Sequence, residues 1–131
     1  MSIVEHLNEI TTALDELKVP YLVMGGHAVR YYGFNRETTD HDLHIPESVG
    51  KNLSELLRQT SLFVSVPLTE SITWRGENDF KRYVIGTLPD GKEELLEFWI
   101  HNHLLDDFKD LYQRREEGFL RRKNCFVSVA F

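Results

Sequence analysis

The N-terminal segment places its apolar side chains on one face of a helix. Their recurrence every three or four positions predicts a helix of about 16 residues, whose buried face is formed by Ile3, Leu7, Ile10, Leu14 and Leu17. The pair Ser2 and Glu5 has the spacing of a capping box at the start of that helix. The run Lys-Val-Pro at 18–20 ends it, because proline cannot continue a helix.

Residues 21–46 combine short apolar runs with glycine and polar residues. The predicted elements, in order, are a fully buried strand at 21–24, a glycine pair at 25–26, a helix at 27–32 ending at Gly33, and a second strand at 40–45 ended by Pro46. This segment therefore reads as strand, turn, helix and strand in quick succession.

The rest of the chain changes from helical spacing to alternation. The predicted elements are a helix at 47–60, a strand at 62–66, strands at 71–75 and 80–88, a turn at 89–92, a strand at 93–100, a helix at 104–115 and a strand at 126–131. No linker or internal repeat interrupts this order. The pattern predicts one α/β (α+β) domain over residues 1–131.

Composition narrows the function classes. The 131 residues contain 15 basic and 21 acidic side chains, for a formal charge of −6. This sign excludes non-specific DNA binding through bulk electrostatics, although RNA as a specific substrate stays open. The single cysteine, Cys125, rules out an intrachain disulfide and a four-thiolate zinc site. The sequence has no long apolar run and no signal-peptide pattern, so we expect a cytoplasmic protein without a membrane segment.

The candidate chemistry lies in a glycine pair at 25–26 followed, after thirteen intervening residues, by Asp40-His41-Asp42. Two carboxylates at positions i and i+2 of a strand point to the same side. Like charges that close disfavour joint ionisation unless a cation lies between them, and hard oxygen ligands suit Mg²⁺ or Mn²⁺. A Gly-Gly turn lets backbone N–H groups approach a phosphate. Together these features favour phosphoryl or nucleotidyl transfer; separately, they are an ordinary turn and solvated charges.

These residues resemble the nucleotidyltransferase superfamily of the polymerase-beta type, whose signature is a hydrophobic strand, Gly-Gly or Gly-Ser, and then Asp-x-Asp. The run Arg36-x-Thr38-x-Asp40-x-Asp42 is similar to the form in the small AbiEii-like and lincosamide nucleotidyltransferase-like branches. The resemblance is strong over residues 21–45 and loose to about residue 100. It implies a minimal nucleotidyltransferase fold with a mixed central sheet flanked by helices.

The resemblance also implies roles for individual positions. Gly25 and Gly26 would hold the triphosphate of an NTP, with ATP expected, and Arg36 and Thr38 would lie beside it. Arg36 has two open readings, a pair with Asp40 or a phosphate contact. Asp40 and Asp42 would ligate Mg²⁺ or Mn²⁺, and a third carboxylate on a later strand would complete the set and act as base.

We predict that this third carboxylate is Glu97. Alternation along 93–100 puts Leu96 and Phe98 on the core face and Glu97 on the opposite one, within reach of a metal. Its alternative is an acid on an exposed strand face. Glu93 and Glu94, beside the turn, are expected to be solvated.

Several other polar residues have two readings. His41 replaces the usual apolar residue between the aspartates and is expected on the core side, hydrogen-bonded. His44 lies on the aspartate face, where it touches the site or caps its edge. Three basic residues are either phosphate contacts or ordinary charges on solvent faces: Arg75, Lys81 and Arg82. The His101-Asn102-His103 run is either a metal pair or ordinary loop polarity.

The function predicted from the sequence is metal-dependent transfer of an NMP group from an NTP to an unidentified hydroxyl or phosphate acceptor. The alternative is a catalytically degenerate binding module with a separately encoded protein partner, such as one component of a toxin–antitoxin pair. A phosphohydrolase based on the His41-Asp42 dipeptide is disfavoured, because that chemistry uses a helical scaffold with further histidines.

Overall fold

Seven strands form a single mixed sheet in the computed structural model, which describes residues 3–24, 40–71, 79–100, 108–113, 115–120 and 123–127. The strands are β1 (Leu22–Met24), β2 (Asp40–His44), β3 (Thr69–Ser71), β4 (Phe80–Thr87), β5 (Glu93–Trp99), β6 (Glu116–Leu120) and β7 (Lys123–Val127). Their order across the sheet is β3-β4-β5-β2-β1-β7-β6. Five helices are described: α1 (Ile3–Glu16), α2 (Glu47–Gly50), α3 (Leu53–Arg58), α4 (Leu62–Ser65) and α5 (Phe108–Gln113).

Strand β2 lies near the middle of the sheet and has neighbours of both orientations. It pairs antiparallel with β1 and parallel with β5, and β1 in turn pairs parallel with β7. The β3-β4-β5 and β6-β7 pairs are antiparallel. The prediction of a mixed α/β fold is therefore confirmed.

Helix α1 supplies the main helical contribution to the core. Its apolar face joins the residues of β1, β2 and β5 that point the same way in one buried cluster, which includes Leu7, Ile10, Leu14, Val23, Leu43, Leu96 and Phe98. We call this side of the sheet the helix face. The predicted amphipathic helix and the fully buried first strand are both confirmed.

The end of α1 shows why the helix stops where the sequence predicts. Lys18 has φ 57°, in the left-handed region. The N–H groups of Lys18 and Val19 donate to the carbonyls of Asp15 and Leu14, at 3.0 Å each. This is the hydrogen-bond pattern of a Schellman motif, with lysine in the position that glycine usually takes.

Two predicted elements differ from the structure. The helix predicted for 47–60 is divided into α2 and α3. Gly50, the last residue of α2, packs closely against Ile100, because a Cβ at this position would lie 3.0 Å from the Ile100 side chain. The strand predicted for 62–66 was wrong: Leu62–Ser65 is a helical turn that buries Phe63 and leaves Val64 81% exposed. A short apolar run does not separate strand from helix, and here packing against α1 and α3 favours the helix.

The C-terminal part gains a strand that periodicity did not predict. Glu116–Leu120 forms β6, which pairs antiparallel with β7 and creates a hairpin at the sheet edge. The predicted helix at 27–32, the glycine pair at 25–26 and residues 72–75, 104–107 and 128–131 of other predicted elements lie outside the described residues.

The turn between β4 and β5 follows its sequence signal closely. Gly91 has φ 88°, and its N–H donates to the carbonyl of Leu88 at 2.9 Å. The Leu88 N–H donates to the carbonyl of Lys92 at 2.7 Å. The turn sets the register of the hairpin up to a shift between Val84 and Gly86, and so helps to place the residues of β5.

None of the helices in the described part of the chain is both long and apolar enough to cross a membrane.

Buried Tyr83 provides a pH-dependent test of the packing. It is fully buried, its hydroxyl lies 2.6 Å from the Ser54 hydroxyl, and burial raises its pKa above the usual value. As the pH rises, Tyr83 therefore ionises in the unfolded chain before it does so in the folded protein. Its contribution to folding stability holds below about pH 10 and is lost as the pH rises further. We expect Tyr83→Phe to lower the free energy of unfolding by about 1 kcal/mol at pH 8. At pH 11 we expect a smaller loss from the same substitution. Urea unfolding of both proteins at the two pH values measures the difference, and a difference independent of pH would contradict the prediction.

Candidate functional site

The parallel pairing of β2 with β5 brings the predicted carboxylates together. The register places Asp42 opposite Glu97 and Asp40 opposite Leu95. Because side chains alternate along each strand, Asp40, Asp42 and Glu97 all lie on one face, which we call the acidic face. The predicted alternation of β5 is confirmed, since Leu96 and Phe98 are fully buried on the other side.

Glu97 carries the clearest electrostatic sign of this crowding. The residue is only 6% exposed. Burial raises its pKa, the negative charges of Asp42 and Asp40 raise it further, and Arg82 opposes them, with a resulting pKa of about 7. The alternative of an acid on an exposed strand face is therefore wrong: Glu97 is a buried carboxyl group whose pKa is raised first by burial and then by its acidic neighbours.

Arg82 is the basic partner of this cluster. It lies opposite Glu97 in the β4–β5 register, and its Nε and Nη2 donate to Glu97 Oε2 at 3.1 and 3.0 Å. The sequence left Arg82 between a phosphate contact and surface polarity. The structure places it at the acidic face, paired with a carboxylate, with its side chain 36% exposed.

Trp99 is a site residue that the sequence analysis missed. Its Nε1–H donates to Asp42 Oδ1 at 3.2 Å. Phe80 packs edge-on against the Trp99 ring at 4.7 Å between centroids, and the Arg82 guanidinium lies 5.5 Å from the Phe80 centroid. Position i+2 from Glu97 was the available signal, because it puts Trp99 on the same face. These aromatic rings restrict the orientation of both Asp42 and Arg82.

His44 lies on the predicted face of β2, the one that carries the two aspartates, and its ring packs against α5. It is 2% exposed and packs edge-on against Phe108 at 5.2 Å, and its Nδ1 is buried without a hydrogen-bond partner among the described residues. Burial lowers the pKa of His44, partly offset by the Ile100 backbone. It is a buried aromatic contact of α5 and not a member of the carboxylate cluster.

The helix face carries a second polar cluster directly behind the first. His41 is fully buried there, as predicted, and its Nε2 lies 2.5 Å from Glu94 Oε2. His6 of α1 contacts the same oxygen through Nδ1 at 2.6 Å. The expectation that Glu94 is solvated was wrong: Glu94 is 8% exposed, because alternation puts it on the core side, where it contacts two histidines. The donor atoms of the three residues lie within 4.8 Å of one another, close enough to hold a metal ion.

The remaining predicted site residues lie outside the described part of the chain. These are Gly25, Gly26, Arg36, Thr38, Arg75, His101, Asn102 and His103. Lys81 lies on β4 beside the position of Arg82 but on the opposite face, since successive strand residues alternate. The described site therefore consists of three carboxylates, one arginine and the aromatic pair.

The origin of the raised Glu97 pKa can be tested directly. We expect Asp42→Asn to lower the pKa of Glu97, because it removes a nearby negative charge, and Arg82→Gln to raise it. Titration of the side-chain carboxyl carbon by NMR measures both directions, with Lys92→Gln in the exposed turn as a control for a lost distant cation. Equal pKa values in the wild type, Asp42→Asn and Arg82→Gln would refute the proposed electrostatic coupling.

Comparison with known proteins finds similarity at the level of the fold. No family model matches the chain, and no curated protein matches it. Among solved structures, the chain is similar to an antigenic nucleotidyltransferase-like protein from Paracoccidioides brasiliensis, with a TM-score of 0.60 and 21% identity. The match covers 95% of this chain and 59% of the other, so the chain spans about three fifths of that protein's length. The protein described here thus has a nucleotidyltransferase-like fold, as the resemblance implied.

Proposed function

We propose that this protein is a metal-dependent nucleotidyltransferase that moves an NMP group from an NTP to a hydroxyl or phosphate acceptor. One observation carries the proposal: Asp40, Asp42 and Glu97 lie on one face of adjacent parallel strands, with Asp42 opposite Glu97. The nucleotidyltransferase-like fold supports it. In the branch that the sequence resembles, the aspartate pair has the metal-binding role.

The carboxylate cluster fits Mg²⁺ or Mn²⁺. Its donors are hard oxygens from three side chains, the type that these ions prefer, and both ions keep positions for water and phosphate oxygens. The pKa of Glu97 is raised to about 7, first by burial and then by the negative charges of Asp42 and Asp40, with Arg82 opposing them. A divalent cation would relieve this repulsion and favour the ionised form of Glu97. Asp40, Asp42 and Glu97 would therefore hold the ion.

A bound ion would supply Lewis-acid stabilisation of the charge that develops on the phosphate oxygens. In the transfer, the acceptor oxygen forms a bond to the α-phosphorus, and the bond to pyrophosphate breaks. In the proposed reaction the Glu97 carboxylate would take the proton of the acceptor hydroxyl. Trp99 holds Asp42 through its indole N–H, while Arg82 provides positive charge at the same face.

The roles of Gly25 and Gly26 in this proposal come from the family resemblance. Gly25 and Gly26 would place backbone N–H groups against the triphosphate, as the family's strand–Gly-Gly motif does, with Arg36 and Thr38 beside it. They follow directly after β1, whose Met24 pairs with Asp42 in the sheet. The end of β1 is thus adjacent to the carboxylates, which supports a nucleotide bound across β1 and β2.

A second candidate is a nucleotide-binding module without transferase activity, acting with a separately encoded partner such as the other half of a toxin–antitoxin pair. The observation that favours it is the pairing of Arg82 with Glu97, because both hydrogen bonds end on one oxygen of the third carboxylate. An arginine in this position can substitute for a cation.

Metal-dependent nucleotide binding tests the site without knowledge of the acceptor. Calorimetric titration of a non-hydrolysable ATP analogue is expected to give binding with Mg²⁺, and none with EDTA. The double variant Asp40→Asn/Asp42→Asn should lose binding, because it removes two of the three charged ligands. Asp90→Asn, in the exposed β4–β5 turn, is the matched control and should bind as the wild type does. Equal binding by the double variant would place the nucleotide elsewhere.

Turnover separates the two candidates. We expect pyrophosphate release from ATP in the presence of a suitable acceptor, screened over aminoglycoside-like and lincosamide-like antibiotics, tRNA and co-purifying proteins. Glu97→Gln should reduce this rate by at least about 100-fold, since it removes a base as well as a ligand. Glu93→Gln, on the exposed start of β5, should leave the rate unchanged. Nucleotide binding without pyrophosphate release for every acceptor would favour the binding module.

A further inference from the structure

Three elements that are distant in sequence meet at one buried point on the helix face. His6 comes from α1, His41 from β2 and Glu94 from the start of β5. Their side chains are 13%, 0% and 10% exposed. The cluster lies on the side of the sheet opposite to Asp40, Asp42 and Glu97, because His41 alternates with the two aspartates along β2.

The geometry is convergent. His6 Nδ1 and His41 Nε2 both contact Glu94 Oε2, at 2.6 and 2.5 Å, and all three donor atoms lie within 4.8 Å of one another. The imidazole rings are nearly perpendicular, at 88°, with 5.9 Å between centroids. The two nitrogens therefore converge on one carboxylate oxygen, and the three donor atoms lie close enough together to hold one ion.

The chemistry of the three donors is that of a transition-metal ligand set. Two imidazole nitrogens and one carboxylate oxygen are the protein ligands of many three-residue zinc sites, which complete a tetrahedron with water. Zinc–ligand bonds of about 2.0–2.2 Å would place neighbouring donors about 3.3 Å apart. The two contacts to Glu94, at 2.6 and 2.5 Å, would thus open by less than about 1 Å.

Burial of the donors also favours a cation. The Glu94 side chain is 10% exposed and the His41 side chain is 0% exposed. A carboxylate taken out of water needs a positive partner, and a metal ion would supply that charge inside the core.

We infer that His6, His41 and Glu94 form a binding site for a zinc-class transition-metal ion, separate from the carboxylate site on the acidic face. Through its three ligands, the ion would cross-link α1 to β2 and β5. The donor sets also separate the metals: imidazole nitrogen favours Zn²⁺, whereas the three carboxylates of the acidic face favour Mg²⁺ or Mn²⁺.

The inference is tested with the full chain, stripped of metal by a chelator and then titrated with Zn²⁺ alone. We expect one high-affinity zinc ion per chain and a rise in Tm, because the ion binds the folded state and not the unfolded one. Co²⁺ in place of Zn²⁺ should give the visible absorption of a four-coordinate site with nitrogen ligands. His6→Gln and Glu94→Gln should each weaken zinc binding by more than about 100-fold.

Matched variants distinguish zinc binding at this site from zinc binding at the neighbouring carboxylates. Glu93→Gln, the exposed neighbour of Glu94, should bind zinc as the wild type does. Asp42→Asn should also retain the ion, which places zinc on the helix face and makes the result independent of the proposed transferase activity. His6 lies at the surface end of the cluster, so its variant decides the matter if circular dichroism shows that Glu94→Gln does not fold.

Two results would overturn the inference. The first is a folded, metal-free wild type that binds no zinc and whose Tm does not change with Zn²⁺. The second is zinc binding that survives His6→Gln and is lost in Asp42→Asn, because the ion would then occupy the carboxylates. In either case the cluster is a hydrogen-bonded His–Glu–His group only.

Discussion

The parallel pairing of β2 with β5 is the constraint on which both polar clusters depend. With Asp42 opposite Glu97, the carboxylates lie on one face and His41 lies near Glu94 on the other. A slip of one residue would reverse the faces of an entire strand and place aspartates in the core beneath α1. The apolar residues between the polar ones, Leu43 and Phe98, oppose such a slip, because both are fully buried in the present register.

Strand β5 shows how strongly the surroundings control an acidic side chain. Glu94 and Glu97 are separated by two residues and are both more than nine-tenths buried. The pKa of Glu94 is lowered to about 2, whereas that of Glu97 is raised to about 7. Burial disfavours ionisation of both. The difference comes from their partners, since Glu94 faces two histidines and Glu97 faces two aspartates and one arginine.

The acidic face combines repulsion with positioning. Asp40, Asp42 and Glu97 repel one another, and this repulsion makes the cluster receptive to a cation. Trp99 and Arg82 limit how far the carboxylates can relax, because each donates hydrogen bonds to a different member of the cluster.

The sequence by itself determined the features that depend on near neighbours. Helical spacing identified α1, the Pro-Asp-Gly-Lys run identified the β4–β5 turn, and strict alternation placed Asp40, Asp42 and Glu97 on the face away from the core. These inferences succeed because side-chain direction in a helix or strand follows from the period of the backbone. The position of His41 in the core follows from the same rule.

Only the tertiary structure decided which distant residues meet. The indole N–H of Trp99, on β5, donates to Asp42 on β2. Glu94 is buried against His6, which lies on a helix near the other end of the sequence. The turn at 62–65 became helical, and β6 formed at the edge of the sheet, through packing and pairing that no local pattern contains. Contact energies between remote elements outweigh local preference at these positions, so the sequence pattern alone could not reveal either cluster in full.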